Sequence, residues 1–376
     1  MNARVKGQDL RLYVTREPVI LALLSALAVA FFLIVTVLSH IYHAQQSSLG
    51  NRWFTRGVAD LKGKRFEPAI AEFRTALLYS RDNYSYQLNL AEALIGGKRT
   101  TEAYSYLVNL WEREPENGLV NLELARIAAQ EGQTEAALRY YHNAIYATWP
   151  GDQELERRDT RLELIEFLLR INAKTQAQSE LIALAANLAD DPSQQARVGD
   201  LFVQAQDYEH ALAEYRLSLK SERHNPAALA GAGQAAFELG RYPLAQRYLQ
   251  AAVAANPSDT QSAARLRTTE LVLEMDPFRR QLSVARRNRI VMDAFAAAGQ
   301  RLKSCSALGG SQQNLAESWS KMKTQITERG LRRDPDLVEE AMDLVFRIER
   351  QTSAACGEPA GTDMALLLIA KLHEGS

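Results

Sequence analysis

The residues able to do chemistry are few in this chain and are not grouped. Its two cysteines, Cys305 and Cys356, lie far apart in sequence and lack the C-x-x-C spacing of redox dithiols. In a reducing compartment they would be two buried thiols. In an oxidising one they would join, closing a loop of about 50 residues worth roughly 4 kcal/mol by chain entropy. The six histidines (His40, His43, His142, His210, His224, His373) are scattered. Only His40 and His43 are close enough for one helix face, and an interfacial position without ligand explains them. Glu339-Glu340 sit on an amphipathic helix as surface charge. No phosphate-binding glycine loop, H-E-x-x-H, G-x-S-x-G or cysteine–histidine metal spacing occurs. No catalytic residue, metal or cofactor is therefore expected, and the function is sought in surfaces.

The elements that would carry those surfaces repeat. Stacked on the position where two helices must approach closely, Gly57, Ala91, Ala125, Ile165, Gly199 and Gly233 recur every 34 residues, with one interval of 40. Twelve residues after each comes Ala69, Ala103, Ala137, Ala177, Ala211 or Ala245. Four further on stands a bulky residue: Phe73, Leu107, Tyr141, Leu181, Tyr215 or Leu249. An aromatic precedes the alanine by three in the first, fifth and sixth segments (Phe66, Tyr208, Tyr242), and Pro115 and Pro257 end two of them. Small residues admit close helix packing and large ones fill the intervening groove. Gly63, Gly97, Gly132 and Gly240 are expected to turn the chain between helices.

This pattern resembles the tetratricopeptide repeat, over residues 50–258. The resemblance implies an all-α fold, a superhelix of about six helix pairs that holds protein partners. The fourth repeat departs furthest, with Ile165 at the small position and Lys174 at the aromatic one. The segment Tyr146 to Arg158, containing Trp149-Pro150-Gly151, is its preceding insertion. In the family register, helix A lines the inner groove. Three residues before each anchor stand Phe54, Leu88, Leu122, Leu162, Ala196 and Ala230; one after stand Val58, Glu92, Arg126, Glu166, Asp200 and Gln234. Members that clamp a terminal carboxylate have lysine or arginine in the first set and asparagine in the second. Here the groove is apolar with a mostly acidic edge, suited to a helix or extended segment. The candidate partner-binding residues are thus Phe54, Leu88, Glu92, Leu122, Arg126, Leu162, Glu166, Asp200 and Gln234.

Ahead of the repeats, Val19 to Leu38 carry no charge. About 20 such residues span a bilayer core of about 30 Å. A cleaved signal would need a shorter core and a small-x-small site, and Tyr42 before Ala44 fits poorly. Residues 18–42 are therefore expected as a transmembrane anchor. Arg4, Lys6, Arg11 and Arg16 precede it and the next cation is Arg52, which places the tail 1–17 in the cytoplasm and the rest outside. Export favours the Cys305–Cys356 disulfide. Ala22, Ala26 and Ala30 form a small-residue stripe for packing against another transmembrane helix, although alanine is common in such segments. Ser47 to Asn51 would be a short linker that holds the repeats close to the membrane surface. Trp53 and Phe54 would suit the interfacial belt, but Trp53 is better explained as the tryptophan that the resemblance implies at the start of helix A.

After Pro257, residues 259–277 are expected to cap the array and 278–376 to form a helical bundle. Its apolar stripes are Val291, Phe295, Ala298, Leu302, then Leu315, Trp319, Met322, Ile326, then Leu337, Ala341, Leu344, Ile348. Five arginines between Arg279 and Arg289 make a basic stretch, read first as a solvated face. A net charge of −1 gives no broad electrostatic case for nucleic acid, and a mean hydropathy of −0.26 excludes a polytopic membrane protein.

The expected function is non-catalytic: an interaction scaffold, a single-pass subunit of a larger complex, facing the periplasm from a bacterial inner membrane. Its partners would be membrane-embedded or membrane-proximal proteins and, through the anchor, the lipid bilayer. The alternative is a transient assembly factor or chaperone-like adaptor, as in cytochrome maturation or outer-membrane assembly. A sensor of cell-wall or small ligands ranks last, since the tail holds no output domain. Exposed Tyr84, Tyr86, Tyr104 and Tyr106 would favour the permanent subunit.

Overall fold

The computed structural model describes the backbone of residues 6–374 except positions 150, 152, 189 and 306–309, with side chains from residue 20 onward save 310–312. Arg4, the side chains of Lys6, Arg11 and Arg16 on which the expected orientation also rests, and Pro150 of the insertion lie outside that description. Described in order, the helices are α1 (Lys6–Lys62), α2 (Phe66–Tyr79), α3 (Tyr84–Gly96), α4 (Thr100–Arg113), α5 (Gly118–Gln130), α6 (Thr134–Tyr146), α7 (Gln153–Arg170), α8 (Lys174–Ala185), α9 (Pro192–Gln204), α10 (Tyr208–Ser221), α11 (Pro226–Glu238), α12 (Tyr242–Ala255), α13 (Thr260–Met275), α14 (Val284–Ser304), α15 (Gly310–Lys323), α16 (Glu328–Arg333), α17 (Asp336–Cys356) and α18 (Gly361–Leu372). The fold is all-α, built from helix pairs of the tetratricopeptide type with a long apolar helix in front and a helical bundle behind. Two compact units divide it, Met1–Leu164 and Ile165–Ser376.

Each repeat folds around the residues its spacing singled out. All six alanines twelve residues after the anchors are fully buried, and the bulky residues that follow them are buried too. The anchor and the bulky residue meet directly: a Cβ on Gly57 would lie 2.6 Å from the Phe73 ring, one on Gly199 2.8 Å from Tyr215, and one on Gly233 2.7 Å from Leu249. Helix A starts are fixed by periodic caps. Asn83, Asn117, Asp191, Asn225 and Asp259 each accept a hydrogen bond from a first-turn amide.

The turns differ from expectation. The left-handed residue stands five before the buried alanine in every repeat: Lys64, Lys98, Gly132, Asn172, Gln206 and Gly240. Gly63 and Gly97 are not left-handed, so in the first two repeats the strained geometry falls on the lysine that follows. The linker also differs. Ser47 to Asn51 continue α1 without a break, so the apolar stretch and the start of the first repeat share one helix of 57 residues. Propagation between two helical flanks needs no new nucleus, and Gly50 is buried against Tyr79 and Tyr86.

In unit 1 the insertion after α6 folds back on α5. The Gly118 N–H donates to the Thr148 carbonyl and the Thr148 N–H to the Glu116 carbonyl, bridging the segment to Asn117, and Trp149 packs where a side chain on Gly118 would stand. Its indole donates to the Ala144 carbonyl at 2.8 Å.

In unit 2, the cap Asp259 falls 34 residues after Asn225, so α13 begins as helix A of a seventh pair. It packs mainly on α12 and, from much later in the sequence, α18, with smaller contacts to α11 and α14. One hydrophobic core takes in Tyr242 and Val272 together with Phe295, Leu302, Leu344, Ile348 and Leu366. Cys305 and Cys356 form a disulfide with Cα atoms 5.9 Å apart, tying the end of α14 to the end of α17.

Candidate interaction surface

The helix-A side chains of the candidate groove divide between core and surface. Leu122 is buried and belongs to the core of its repeat. Phe54 is half-buried, with its ring 4.8 Å from Tyr86 and 5.7 Å from Phe73. Leu88 and Leu162 are half-buried; Glu92, Arg126 and Gln234 likewise; Glu166 and Asp200 are exposed. The row one residue after each anchor thus stays accessible, while the apolar row is partly consumed by packing. Of the four tyrosines expected on the surface, Tyr86 is buried, Tyr84 and Tyr106 are half-buried, and Tyr104 is exposed.

A second row completes the surface, two residues before each anchor: Thr55, Asn89, Glu123, Glu163, Arg197, Gly231 and, in the seventh register, Arg265. It faces the accessible row of the preceding repeat. In unit 1, Arg126 forks onto Glu163 of the next helix A, with Nε donating to Oε2 at 2.9 Å, and also reaches Glu123 at 2.5 Å. In unit 2 the charges are exchanged: Glu166 accepts from Arg197 at 3.3 Å. The junction of Glu92 with Glu123 sets like charges together. Burial pushes both carboxyls above the ordinary range, and Glu123 pushes Glu92 further. The bond to Glu163 holds the Arg126 guanidinium charged throughout.

Unit 2 carries two neighbouring hollows on the same rows. Glu166, Leu169, Arg170 and Gln204 line one of about 290 Å³. Asp200, Gln204, Tyr215, Gln234, Ser262 and Arg265 line another of about 310 Å³. Asp200 accepts from the Tyr215 hydroxyl at 2.6 Å, and burial raises that phenol beyond titration. Residues 202–268 match the sequence profile of the tetratricopeptide repeat. That stretch holds the second hollow almost whole.

No curated protein matches the sequence. Solved tetratricopeptide structures of distant likeness include YrrB, described with an unusual peptide-binding site, at 14% identity over 51% of this chain and 95% of that one, TM-score 0.40. PilF of Pseudomonas aeruginosa shares 16% identity over 58% and 97%, TM-score 0.40. The C-terminal part of a repeat protein of Cytophaga hutchinsonii shares 11% over 81% and 98%, TM-score 0.44. Likenesses this distant transfer no ligand or partner.

Glu123, Glu163, Gln204 and Arg265 were not among the sequence candidates. Extending the tetratricopeptide register by one row and one repeat finds Glu123, Glu163 and Arg265; Gln204 had no such signal. Ala22, Ala26 and Ala30 lie along an exposed stretch of α1, which is the one described helix long and apolar enough to cross a membrane. Among the described residues no group of three or more His, Cys, Asp or Glu is placed to hold a metal.

Proposed function

We propose that this chain is a non-catalytic scaffold that holds other proteins at a membrane. The observation that carries this reading is the pair of facing rows on the helix A elements, left outside the core and preset by ion pairs in three successive repeats. Ordered side chains of this kind lose little entropy on binding. Phe54, Leu88, Glu92, Arg126 and Leu162 form the contact surface of unit 1; Glu166, Asp200 and Gln234 form that of unit 2. The like-charged junction of Glu92 and Glu123 favours a partner segment with a cationic side chain there.

Residues 18–42 serve as a single transmembrane anchor, with the tail in the cytoplasm and both units in the periplasm of an inner membrane. Helical continuity from anchor to first repeat supports permanent membership of one complex, since the repeats are held at the bilayer by α1 itself. Ala22, Ala26 and Ala30 would pack on a neighbouring helix. Mild-detergent extraction of native membranes, a native gel of the tagged chain and mass spectrometry of companions test this. Stoichiometric migration in one large assembly is the expected result. A free monomer with varied, substoichiometric companions would point instead to a transient assembly factor.

A further inference from the structure

Glu349 of α17 is fully buried, and neither carboxylate oxygen has a hydrogen-bond partner among the described residues. Four helices pack on α17: α14, α15, α16 and α18. From α14 the group that acts on Glu349 is Arg301, and from α18 it is Asp363 in the first turn; α15 and α16 bring no charge to it. Arg301 donates through Nη2 to the Gly357 carbonyl at 2.9 Å, and its buried Nε makes no hydrogen bond among the described residues, so its charge opposes the rise at Glu349 without bonding to it. An ionised carboxylate without a partner is costly in such a site, so Glu349 is held neutral. Burial first, then the Asp363 charge, pushes its carboxyl up to about 8, and burial raises Asp363 as well.

The helices around this group are not equally fixed. The Cys305–Cys356 disulfide ties the end of α14 to the end of α17, about two turns beyond Glu349. By contrast, α18 follows a short connection bounded by Gly357 and Gly361, both with positive φ, and its N-cap Ala360 supplies no side-chain cap. It is also the helix that stands beside α13 as the second member of the seventh pair. Of the three helices that bring charge to this point, α18 alone is not held by the disulfide. What holds it is the burial of Ala365, Leu366, Ile369 and Ala370 in the core, so its opening is rare and is set by that burial together with the charge on Glu349.

We propose that Glu349, Asp363 and Arg301 form a proton-operated latch, closed while Glu349 is neutral, that holds α18 on the bundle and thereby covers one side of α13. Ionisation of Glu349 favours departure of α18, where water reaches the carboxylate and Asp363 moves away. Release uncovers the side of α13 at the end of the repeats, while the disulfide keeps α14 and α17 together. The latch does not depend on the identity of the partner proposed above.

Hydrogen exchange of the full chain in detergent micelles, corrected for the intrinsic rate at each pH, tests it. Between pH 5 and 8 the protection of α18 is expected to fall about tenfold per pH unit and then level off, because the open form restores an ordinary carboxyl. In Glu349→Gln the protection of α18 should lose that slope above the range in which Asp363, itself raised by burial, titrates. In Asp363→Asn the levelling should move to lower pH, since the charge that helps to keep Glu349 neutral is gone. A pH-independent wild type, a Glu349→Gln variant with the wild-type slope, or an unshifted Asp363→Asn profile each overturns the latch. So does loss of protection in α14 and α17 in step with α18, which would make Glu349 a matter of global stability.

Discussion

Arg126→Met removes the cation that bridges Glu123 and Glu163. Breaking a fully buried ion pair costs about 3–5 kcal/mol because a charge is left without a partner. Glu123 is nearly enclosed, but the side chains of Arg126 and Glu163 are 38% and 35% exposed, and solvent screens part of the loss. About 2 kcal/mol should remain at pH 8. The sign of the pH dependence is fixed. Without Arg126 the folded-state pKa of Glu123, already raised by burial, rises further above its unfolded value. The folded chain then binds more protons than the unfolded chain between those two values, and its stability falls as pH rises through that window. The variant should therefore lose less at pH 5 than at pH 8. Urea unfolding followed by tryptophan fluorescence reads this well, because Trp53, Trp111 and Trp149 lie in unit 1 and Trp319 alone in unit 2. A double-mutant cycle with Glu163→Gln should give a coupling of about 1 kcal/mol. A loss below about 0.5 kcal/mol, or one equal at both pH values, would refute the reasoning that these two rows are electrostatically joined.

The two leucines of the apolar row should part company. Leu122→Asp places a charge in the core and should unfold unit 1 by about 3 kcal/mol or more, visible as lost helicity. Leu88→Asp should keep its helicity and weaken partner capture in the native-gel experiment; the reverse order would return Leu122 to the surface. Reduction of the Cys305–Cys356 disulfide, which spans 51 residues, should lower the stability of unit 2 by up to about 4 kcal/mol and leave unit 1 unchanged. Equal urea midpoints for the oxidised and reduced chain would remove the disulfide from the account.

The sequence by itself determined the repeat. A period of 34 residues with small, alanine and bulky positions in fixed order leaves one way to pack a helix pair, and Gly57 against Phe73 or Gly233 against Leu249 follow from spacing alone. It also determined the apolar character of the leading helix, since hydropathy is a local property. The left-handed turn residues were half legible: glycine marks the position in Gly132 and Gly240, but Lys64 and Lys98 occupy it elsewhere because the neighbouring contacts outweigh their strain. What only the tertiary structure decided are relations between repeats and between distant segments. The meeting of Arg126 with Glu163 depends on how one helix A is set against the next, which no period within a repeat specifies. The pairing of α13 with α18 joins residues about a hundred positions apart. The burial of Glu349 belongs to the same class: on an amphipathic helix its sequence reads as surface charge, and only the arrival of α14 and α18 on either side takes its carboxyl out of water.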